Sequence, residues 1–416
     1  MRTLLKSVTV MDPSGPHHLE QCDILIVDGV IENIGPDLKD KQAKVFEMNQ
    51  AFVSKGWFDP SVSLGEPGFE ERETLASGGQ VAAQSGYTAI GIQPNTEPKT
   101  ENKAAVNFIK SKEDMVDLYP IGGLTVNALG ADLCELYDMS SAGAIAFGDY
   151  KKPIEDPNLL KLALEYTQSF DGLVLSFPMD SKLGSGGMIN ESTQNVSLGL
   201  KGLPKLAEHL QITRDLSILK YTGGRLHIPT ISTAESVALI RAAKKDGLDV
   251  SCSVSIFNLC LTDDVMGDFN TNHKLMPPLR EAKDVKALIK GLNDGTIDGV
   301  TSDHNPIDIE HKRVEFDHAL FGSIGLEHTF GVLNSLINTE SAIKALTGLK
   351  QRFGIDSPSI AVGNRADMTI FNPEISGSVK AENLRSKSKN SALLSLNTKG
   401  AALGTIRGSK QYWHEA

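Results

Sequence analysis

The stretch Phe58-Asp-Pro-Ser-Val-Ser-Leu-Gly-Glu-Pro-Gly68 decides the fold, because a short apolar run ends there in small and polar residues. Such residues at the end of a strand are typical of barrels, whose functional sites lie at that face. Between residues 56 and 345, short apolar strands alternate with helical segments. This alternation predicts a (β/α)8 barrel, a TIM-like α/β fold, with an open doubly wound sheet as the alternative. Predicted strands include 88–92, 143–147, 173–177, 225–228, 250–254 and 299–302, and predicted helices include 71–85, 235–246 and 283–294.

The two ends of the chain predict a second, smaller unit. Residues 3–10 and 23–34 have strand patterns, and Asp28-Gly29 is a two-residue hairpin turn within the second. A matching β pattern returns at 363–373. We therefore expect residues 1–55 plus 346–416 to form a composite β-domain and residues 56–345 to form the barrel. The Gly- and Ser-rich segment 181–200 predicts a long loop, and 264–276 a mobile polar one.

Composition excludes several classes of function. The 416 residues carry a formal net charge of −11, which argues against nucleic-acid and membrane surfaces because both favour basic patches. The four cysteines are scattered without a CxxC pair, as expected of buried small residues in a reducing compartment. The N-terminus enters a strand pattern directly, and no apolar run reaches the roughly 18 residues of a spanning helix. We expect a cytoplasmic protein.

Three further segments carry a family resemblance. They are Gln93-Pro-Asn-Thr-Glu-Pro98, Lys274-Leu-Met-Pro-Pro-Leu-Arg280 and Asp294-Gly-Thr-Ile-Asp-Gly-Val-Thr-Ser-Asp-His-Asn-Pro306. Together with the segment at 58–68, they resemble dihydroorotases of the amidohydrolase superfamily, over nearly the whole chain and in the right order. The resemblance implies a barrel flanked by a β-domain, and hydrolysis or closure of a cyclic amide by a metal-bound hydroxide.

The ligands that the resemblance implies are mostly replaced. Four positions that hold histidine in the family are Ser61, Ser63, Phe177 and Thr230, and His227 matches a histidine that is not a ligand. Asp149 and Asp303 remain, the latter at the position of the proton-shuttling aspartate. Two carboxylates cannot build the nitrogen-rich site that zinc prefers, so we expect no metal and no other cofactor, although the family uses zinc.

The substrate contacts that the resemblance implies are depleted as well. Asn95 remains at a substrate-binding position, whereas the family's arginine is Gly65 and two further positions are Met276 and Ile307. We expect Asp149 and Asp303 to face one cavity as bare carboxylates that hydrogen-bond to Ser61, Ser63 and Thr230. We expect the Lys151-Lys152 pair to lie on a solvated loop.

Three functions fit these observations. The first is an inactive homologue that serves as a structural or regulatory partner of aspartate carbamoyltransferase, for which the family offers a precedent, and that also forms a homodimer. The second is an active dihydroorotase, or another cyclic-amide hydrolase, with an altered metal site. The third is a small-molecule sensor that uses the emptied pocket, which Phe177, Phe257, Met276 and Ile307 would make apolar. Only the second function requires a bound metal, so a measurement of metal content distinguishes it from the other two.

Overall fold

A sheet built from both ends of the chain forms one layer of the molecule. The computed structural model describes residues 1–414. The strands of this sheet are β1 (Arg2–Met11), β2 (Gln21–Val27), β3 (Val30–Gly35), β4 (Lys44–Glu47), β5 (Phe52–Lys55), β16 (Asp367–Ser378), β17 (Asn397–Arg407) and β18 (Lys410–Trp413). They run in the order β18-β17-β16-β5-β1-β2-β3, and β4 also pairs with β1. Asp28 and Gly29 form the predicted turn between β2 and β3, both with positive φ (49° and 83°), as a type I′ turn requires.

Eight parallel strands form the second and larger unit. They are β6 (Trp57–Val62), β7 (Tyr87–Ile92), β8 (Asp117–Gly122), β9 (Ala146–Phe147), β10 (Leu173–Leu175), β13 (Arg225–Ile228), β14 (Val250–Ser255) and β15 (Gly299–Thr301). Each strand pairs with the next in chain order, and an isolated parallel bridge between Val62 and His304 joins the first strand to the segment after the last. The predicted (β/α)8 barrel is thereby confirmed, and the open-sheet alternative is wrong.

Helices lie between the barrel strands along the chain and after the last of them. They are α1 (Leu75–Gln84), α2 (Lys103–Lys110), α3 (Leu136–Ala142), α4 (Pro157–Thr167), α5 (Thr193–Leu198), α6 (Lys205–Thr222), α7 (Ala234–Lys245), α8 (Ile256–Cys260), α9 (Ala282–Asn293), α10 (Thr329–Leu336), α11 (Thr339–Thr347) and α12 (Leu349–Arg352). Helices α7 and α9 match the predicted segments within one residue at each end. Helix α7 begins where the Thr233 side chain accepts a hydrogen bond from the Ser236 amide.

The predicted long loop at 181–200 contains regular structure, which corrects that expectation. It includes α5 and the strand β11 (Ile189–Asn190), which pairs with β12 (Gly202–Leu203). The Ser192 side chain caps α5 through the Gln194 amide, so a serine that composition assigns to a loop instead begins a helix.

A buried carboxylate connects the first and last strands of the barrel through hydrogen bonds. Asp59 on β6 is fully buried and accepts hydrogen bonds from the Ser61 amide (3.0 Å), the Thr301 hydroxyl (2.6 Å) and the Ser302 amide (2.8 Å). Burial raises the pKa of Asp59 to about 6, although these hydrogen bonds oppose the shift. The aspartate therefore joins the first barrel strand to the last.

Within residues 1–414, no helix has both the length and the apolar character that crossing a membrane requires.

Candidate functional site at the mouth of the barrel

A very small cavity lies at the carboxyl ends of the barrel strands. Its volume is about 10 Å³, about the space that one water molecule occupies. Its walls are Ser61, Gln93, Tyr150, Lys151, Leu175, Phe177, Pro229, Thr230 and Asp303. The structure thus brings together four positions selected from the sequence, namely Ser61, Phe177, Thr230 and Asp303. Ser63, Asn95 and Asp149 are not part of this wall.

An ion pair between Lys151 and Asp303 occupies the centre of the site. The Lys151 Nζ donates to Asp303 Oδ2 at 2.8 Å, and the two side chains are only 14% and 4% exposed. The expectation that Lys151 lies on a solvated face is therefore wrong, whereas its neighbour Lys152 is exposed. The expectation of a bare carboxylate at Asp303 is also wrong. Burial raises the pKa of Asp303, and the Lys151 ammonium opposes that shift.

Asp149 does not face the cavity as a free carboxylate, which corrects a second expectation. Its Oδ1 accepts the amides of Leu124 (2.9 Å) and Thr125 (3.0 Å), and its Oδ2 accepts the Thr125 hydroxyl. These donors lie in the segment that follows β8, so the carboxylate fastens that segment to the end of β9. Burial raises the pKa of Asp149 as well.

The two serines bind side chains from the end of the next strand. Gln93 Nε2 donates to Ser61 Oγ at 3.0 Å, and Asn95 Nδ2 donates to Ser63 Oγ at 2.7 Å. The expected hydrogen bonds from these serines to the two aspartates are absent from the described contacts. Both pairs join the end of β6 to the end of β7, so Asn95 serves here as a contact within the scaffold.

The position that matches the family's substrate-binding arginine has no room for a side chain. A Cβ atom on Gly65 would lie 1.8 Å from the carbonyl oxygen of Phe69, which is backbone and cannot simply rotate away. The tight turn is held by hydrogen bonds from the Phe69 amide to Gly65 O (2.7 Å) and from the Gly65 amide to Glu73 O (2.8 Å). Glycine is therefore required by the local backbone.

Three residues of the cavity wall have unusual backbone conformations. Tyr150 (φ 57°), Thr230 (φ 49°) and Asp303 (φ 46°) all lie in the left-handed region, which is an outlier for β-branched threonine in particular. Each such residue costs about 1–3 kcal/mol, and such strain clusters at functional sites. Three strained positions in one small wall mark the barrel mouth as the candidate functional site.

The donor set does not fit a zinc ion. Zinc prefers imidazole, thiolate and carboxylate ligands, usually four of them in a tetrahedral arrangement. The cavity wall supplies one carboxylate, Asp303, and an ammonium group already binds it. Throughout residues 1–414, no group of three or more histidine, cysteine, aspartate or glutamate side chains is placed to hold a metal ion.

Two comparisons of sequence assign the family. A family model described as "Dihydro-orotase-like" matches residues 52–236. A protein named "Dihydroorotase" from Pelotomaculum thermopropionicum is 37% identical over 99% of this chain and 98% of its own length. The chain belongs to the dihydroorotase-like family. Another relative of that name, from Geotalea daltonii, is also 37% identical, over 99% of both chains. The sequence resemblance to dihydroorotases is thus confirmed at the level of the family.

Solved structures agree on the fold of this dihydroorotase-like chain. An L-hydantoinase (dihydropyrimidinase) from Arthrobacter aurescens superimposes with a TM-score of 0.86 at 22% identity, over 100% of this chain and 96% of that one. A dihydropyrimidinase from Brevibacillus agri NCHU1002 gives 0.83 at 20% identity, over 100% and 97%. At these identities the likeness shows the barrel with its flanking sheet and carries no argument about substrate.

Sequence reasoning missed five residues of the cavity wall, namely Gln93, Tyr150, Lys151, Leu175 and Pro229. Gln93 directly follows the predicted strand 88–92 and begins one of the segments that carry the resemblance, and this position was the available signal. Lys151 follows Asp149 by two residues, directly after a barrel strand. Its position at a strand end predicts a residue of the barrel mouth, but nothing in the local sequence indicates that it points towards Asp303.

Proposed function

We propose that the protein is a non-catalytic member of the dihydroorotase-like family that acts as a structural or regulatory partner of aspartate carbamoyltransferase. The observation that supports the loss of catalysis is the Lys151–Asp303 pair at 2.8 Å inside a cavity of about 10 Å³, whereas the partnership rests on the precedent that the family resemblance offers. Here a lysine ammonium binds the carboxylate at the position where the family places its proton-shuttling aspartate.

Chemistry supports an inactive site. Hydrolysis of a cyclic amide needs an activated water and a general base within reach of it. Asp303 is the candidate base, but its Oδ2 accepts a hydrogen bond from Lys151. Ligand sites are typically about 300–1,000 Å³, far above the 10 Å³ of this cavity. The same comparison disfavours the sensor function. Of Phe177, Phe257, Met276 and Ile307, which were expected to make the pocket apolar, only Phe177 lies in the cavity wall.

An active dihydroorotase is the second candidate. It is favoured by relatives of that name at 37% identity over nearly the whole chain. The two candidates differ in metal content and in turnover of dihydroorotate.

The partnership is tested by sedimentation of the purified chain with the aspartate carbamoyltransferase of the same organism. We expect a complex at micromolar concentration, with an interface of at least about 1,000 Å², together with a homodimer of the chain alone. The net charge of −11 favours a partner surface with a basic patch. Separate sedimentation of the two proteins, with normal transferase activity in cells that lack this chain, would contradict the proposed partnership.

The Ser61→His/Ser63→His variant is expected to remain without dihydroorotase activity. Two restored imidazoles leave Phe177 and Thr230 in place of the other two, and Lys151 still binds Asp303. Ligands of one site act as a unit, so partial restoration gains little. The measurement is dihydroorotate hydrolysis with added zinc. The control is a Ser395→His variant, since Ser395 is exposed and lies outside the cavity wall. Turnover above this control would show that the remaining site is closer to function than its geometry indicates.

A chelator is expected to leave the melting temperature unchanged. The barrel is held by buried strands and by contacts such as Asp59 with Thr301, none of which needs a metal. The measurement is a thermal melt with and without EDTA. A clear fall in the melting temperature on adding EDTA, reversed by excess zinc, would reveal a structural metal.

A further inference from the structure

Lys151 lies in the wall of the barrel-mouth cavity, whereas the adjacent Lys152 does not. Its ammonium group lies 2.8 Å from Asp303 Oδ2 and 5.2 Å from the centre of the Tyr150 ring. The adjacent Lys152 points away and donates to the carbonyl oxygen of Ala128 at 3.3 Å. Lys151 and Asp303 are 152 residues apart in sequence and follow two different barrel strands, β9 and β15.

A buried carboxylate needs compensation, either from hydrogen-bond donors, as at Asp59 and Asp149, or from a partner of opposite charge. Moving an unpaired ionised group out of water costs several kcal/mol, and removing one partner of a buried pair leaves the other uncompensated. In dihydroorotases a metal cation would provide the positive charge next to the aspartate at this position. Here the metal donor set is absent from the cavity wall, and Lys151 is the cation that contacts Asp303.

We propose that Lys151 is an internal cation that replaces the metal electrostatically, neutralising Asp303 and holding the segments after β9 and β15 together across the barrel mouth. The ammonium group also fills volume, since the space left beside it is about 10 Å³. This role of Lys151 concerns the packing of the barrel mouth and not catalytic turnover. It therefore holds or fails independently of the proposed function, and its tests measure stability and accessibility.

The first test is a thermal double-mutant cycle. Lys151→Met and Asp303→Asn are each expected to lower the melting temperature by about 5 °C or more, because each leaves one buried partner unpaired. The double variant is expected to melt at a higher temperature than the less stable single variant, regaining at least about half of that variant's loss in melting temperature, since it removes both charges. Lys152→Met is the matched control and is expected to have the same melting temperature as the wild type. Additive losses in the double variant would overturn the proposal.

The second test uses the wild-type protein, so it remains decisive if the variants do not fold. Lysines are labelled with a small acylating reagent and quantified by peptide mass spectrometry. Lys151 is expected to react at least about tenfold more slowly than Lys152, because its amine is reached only when the mouth opens locally. Equal rates at the two lysines would overturn the proposal.

A third measurement addresses the charge itself. Lys151→Ala leaves space for a small guest cation beside Asp303, so ethylammonium chloride is expected to raise the melting temperature of this variant by several degrees. Equal concentrations of sodium chloride and of tetramethylammonium chloride are the controls for ionic strength and for bulk. A rise with ethylammonium in Lys151→Ala but not in the wild type supports an internal cation, and equal responses in both proteins would contradict it.

Discussion

The Arg280→Met variant is expected to unfold with a free energy about 3–5 kcal/mol lower than that of the wild type, the range for breaking a buried charged pair from one side. Arg280 is 1% exposed. Its guanidinium donates to Ser232 Oγ (3.0 Å), Asn190 Oδ1 (2.9 Å) and the carbonyl oxygen of Leu203 (2.8 Å), and it lies 3.7 Å from Glu208.

Removing the guanidinium would leave Glu208 without its cation. That carboxylate is 2% exposed and also accepts from the Ser232 amide (2.8 Å) and the Ser236 hydroxyl (2.6 Å). Its hydrogen bonds would persist, but its buried charge would no longer face an opposite one. Methionine fills similar volume, so the loss reports the polar contacts and not a cavity.

Chemical denaturation at neutral pH measures this loss, with Lys283→Met as the control. Lys283 is 66% exposed and pairs with Glu281 at the surface, where such pairs contribute about 0–1 kcal/mol. A loss below about 1 kcal/mol for Arg280→Met would mean that the buried network relaxes or admits water.

The second large effect is a dependence of stability on pH that arises from His227. The ring is buried on β13, with Nδ1 2.8 Å from Ser251 Oγ and Nε2 3.1 Å from Ser253 Oγ. Burial lowers the pKa of His227 from 6.5 to about 3, with Arg352 and Lys244 contributing in the same direction. The folded state therefore keeps this imidazole neutral.

Because the pKa of His227 is lower in the folded state, this histidine binds a proton in the unfolded chain before it does so in the folded protein as the pH falls. Stability from His227 is fully present above pH 6.5 and falls as the pH drops towards 3, by about 3 kcal/mol at pH 4. We expect His227→Gln to be less stable than the wild type at pH 7, because the amide cannot reproduce both hydrogen bonds. From pH 7 to pH 4, the variant should lose about 3 kcal/mol less than the wild type does.

Urea denaturation of both proteins at pH 7 and pH 4 provides the measurement. His318→Gln is the control, since the His318 side chain is 75% exposed, and its loss between the two pH values should match that of the wild type. Equal losses of unfolding free energy between pH 7 and pH 4 in the wild type and His227→Gln would mean that the ring is already solvated or charged in the folded state.

The barrel was predictable because its signals are local. Strand and helix periods repeat along the chain, and the two-residue turn at Asp28-Gly29 requires residues that accept positive φ. The positions Ser61, Phe177, Thr230 and Asp303 could also be grouped in advance, because the family resemblance implies that all four belong to one site at the barrel mouth. The structure places all four around one cavity.

The contacts within the site were not predictable in the same way. Lys151 reaches Asp303 across 152 residues, and Arg280 reaches Asn190 across 90. Neither contact has a periodic signal in the sequence, because Lys151, Asp303 and Arg280 lie outside helices and strands and Asn190 lies in the two-residue strand β11. The turn at Gly65 depends on the position of the Phe69 carbonyl, which sequence alone does not give. Several residues that carry the resemblance, including Arg280 and Lys274, hold loops together. Lys274 donates to the carbonyl oxygens of Phe316 (2.8 Å) and Asp317 (2.9 Å), which explains how the scaffold persists where the ligands differ.

The central claim is that this member of the family lacks the metal chemistry of a dihydroorotase, and one combined measurement tests it most directly. The purified chain is incubated with excess zinc and desalted, its bound zinc is counted by mass spectrometry, and the same sample is assayed for hydrolysis of dihydroorotate. We predict far less than one zinc per chain and no turnover above the rate without protein. One or more zinc ions per chain, together with turnover that a chelator abolishes, would contradict the account.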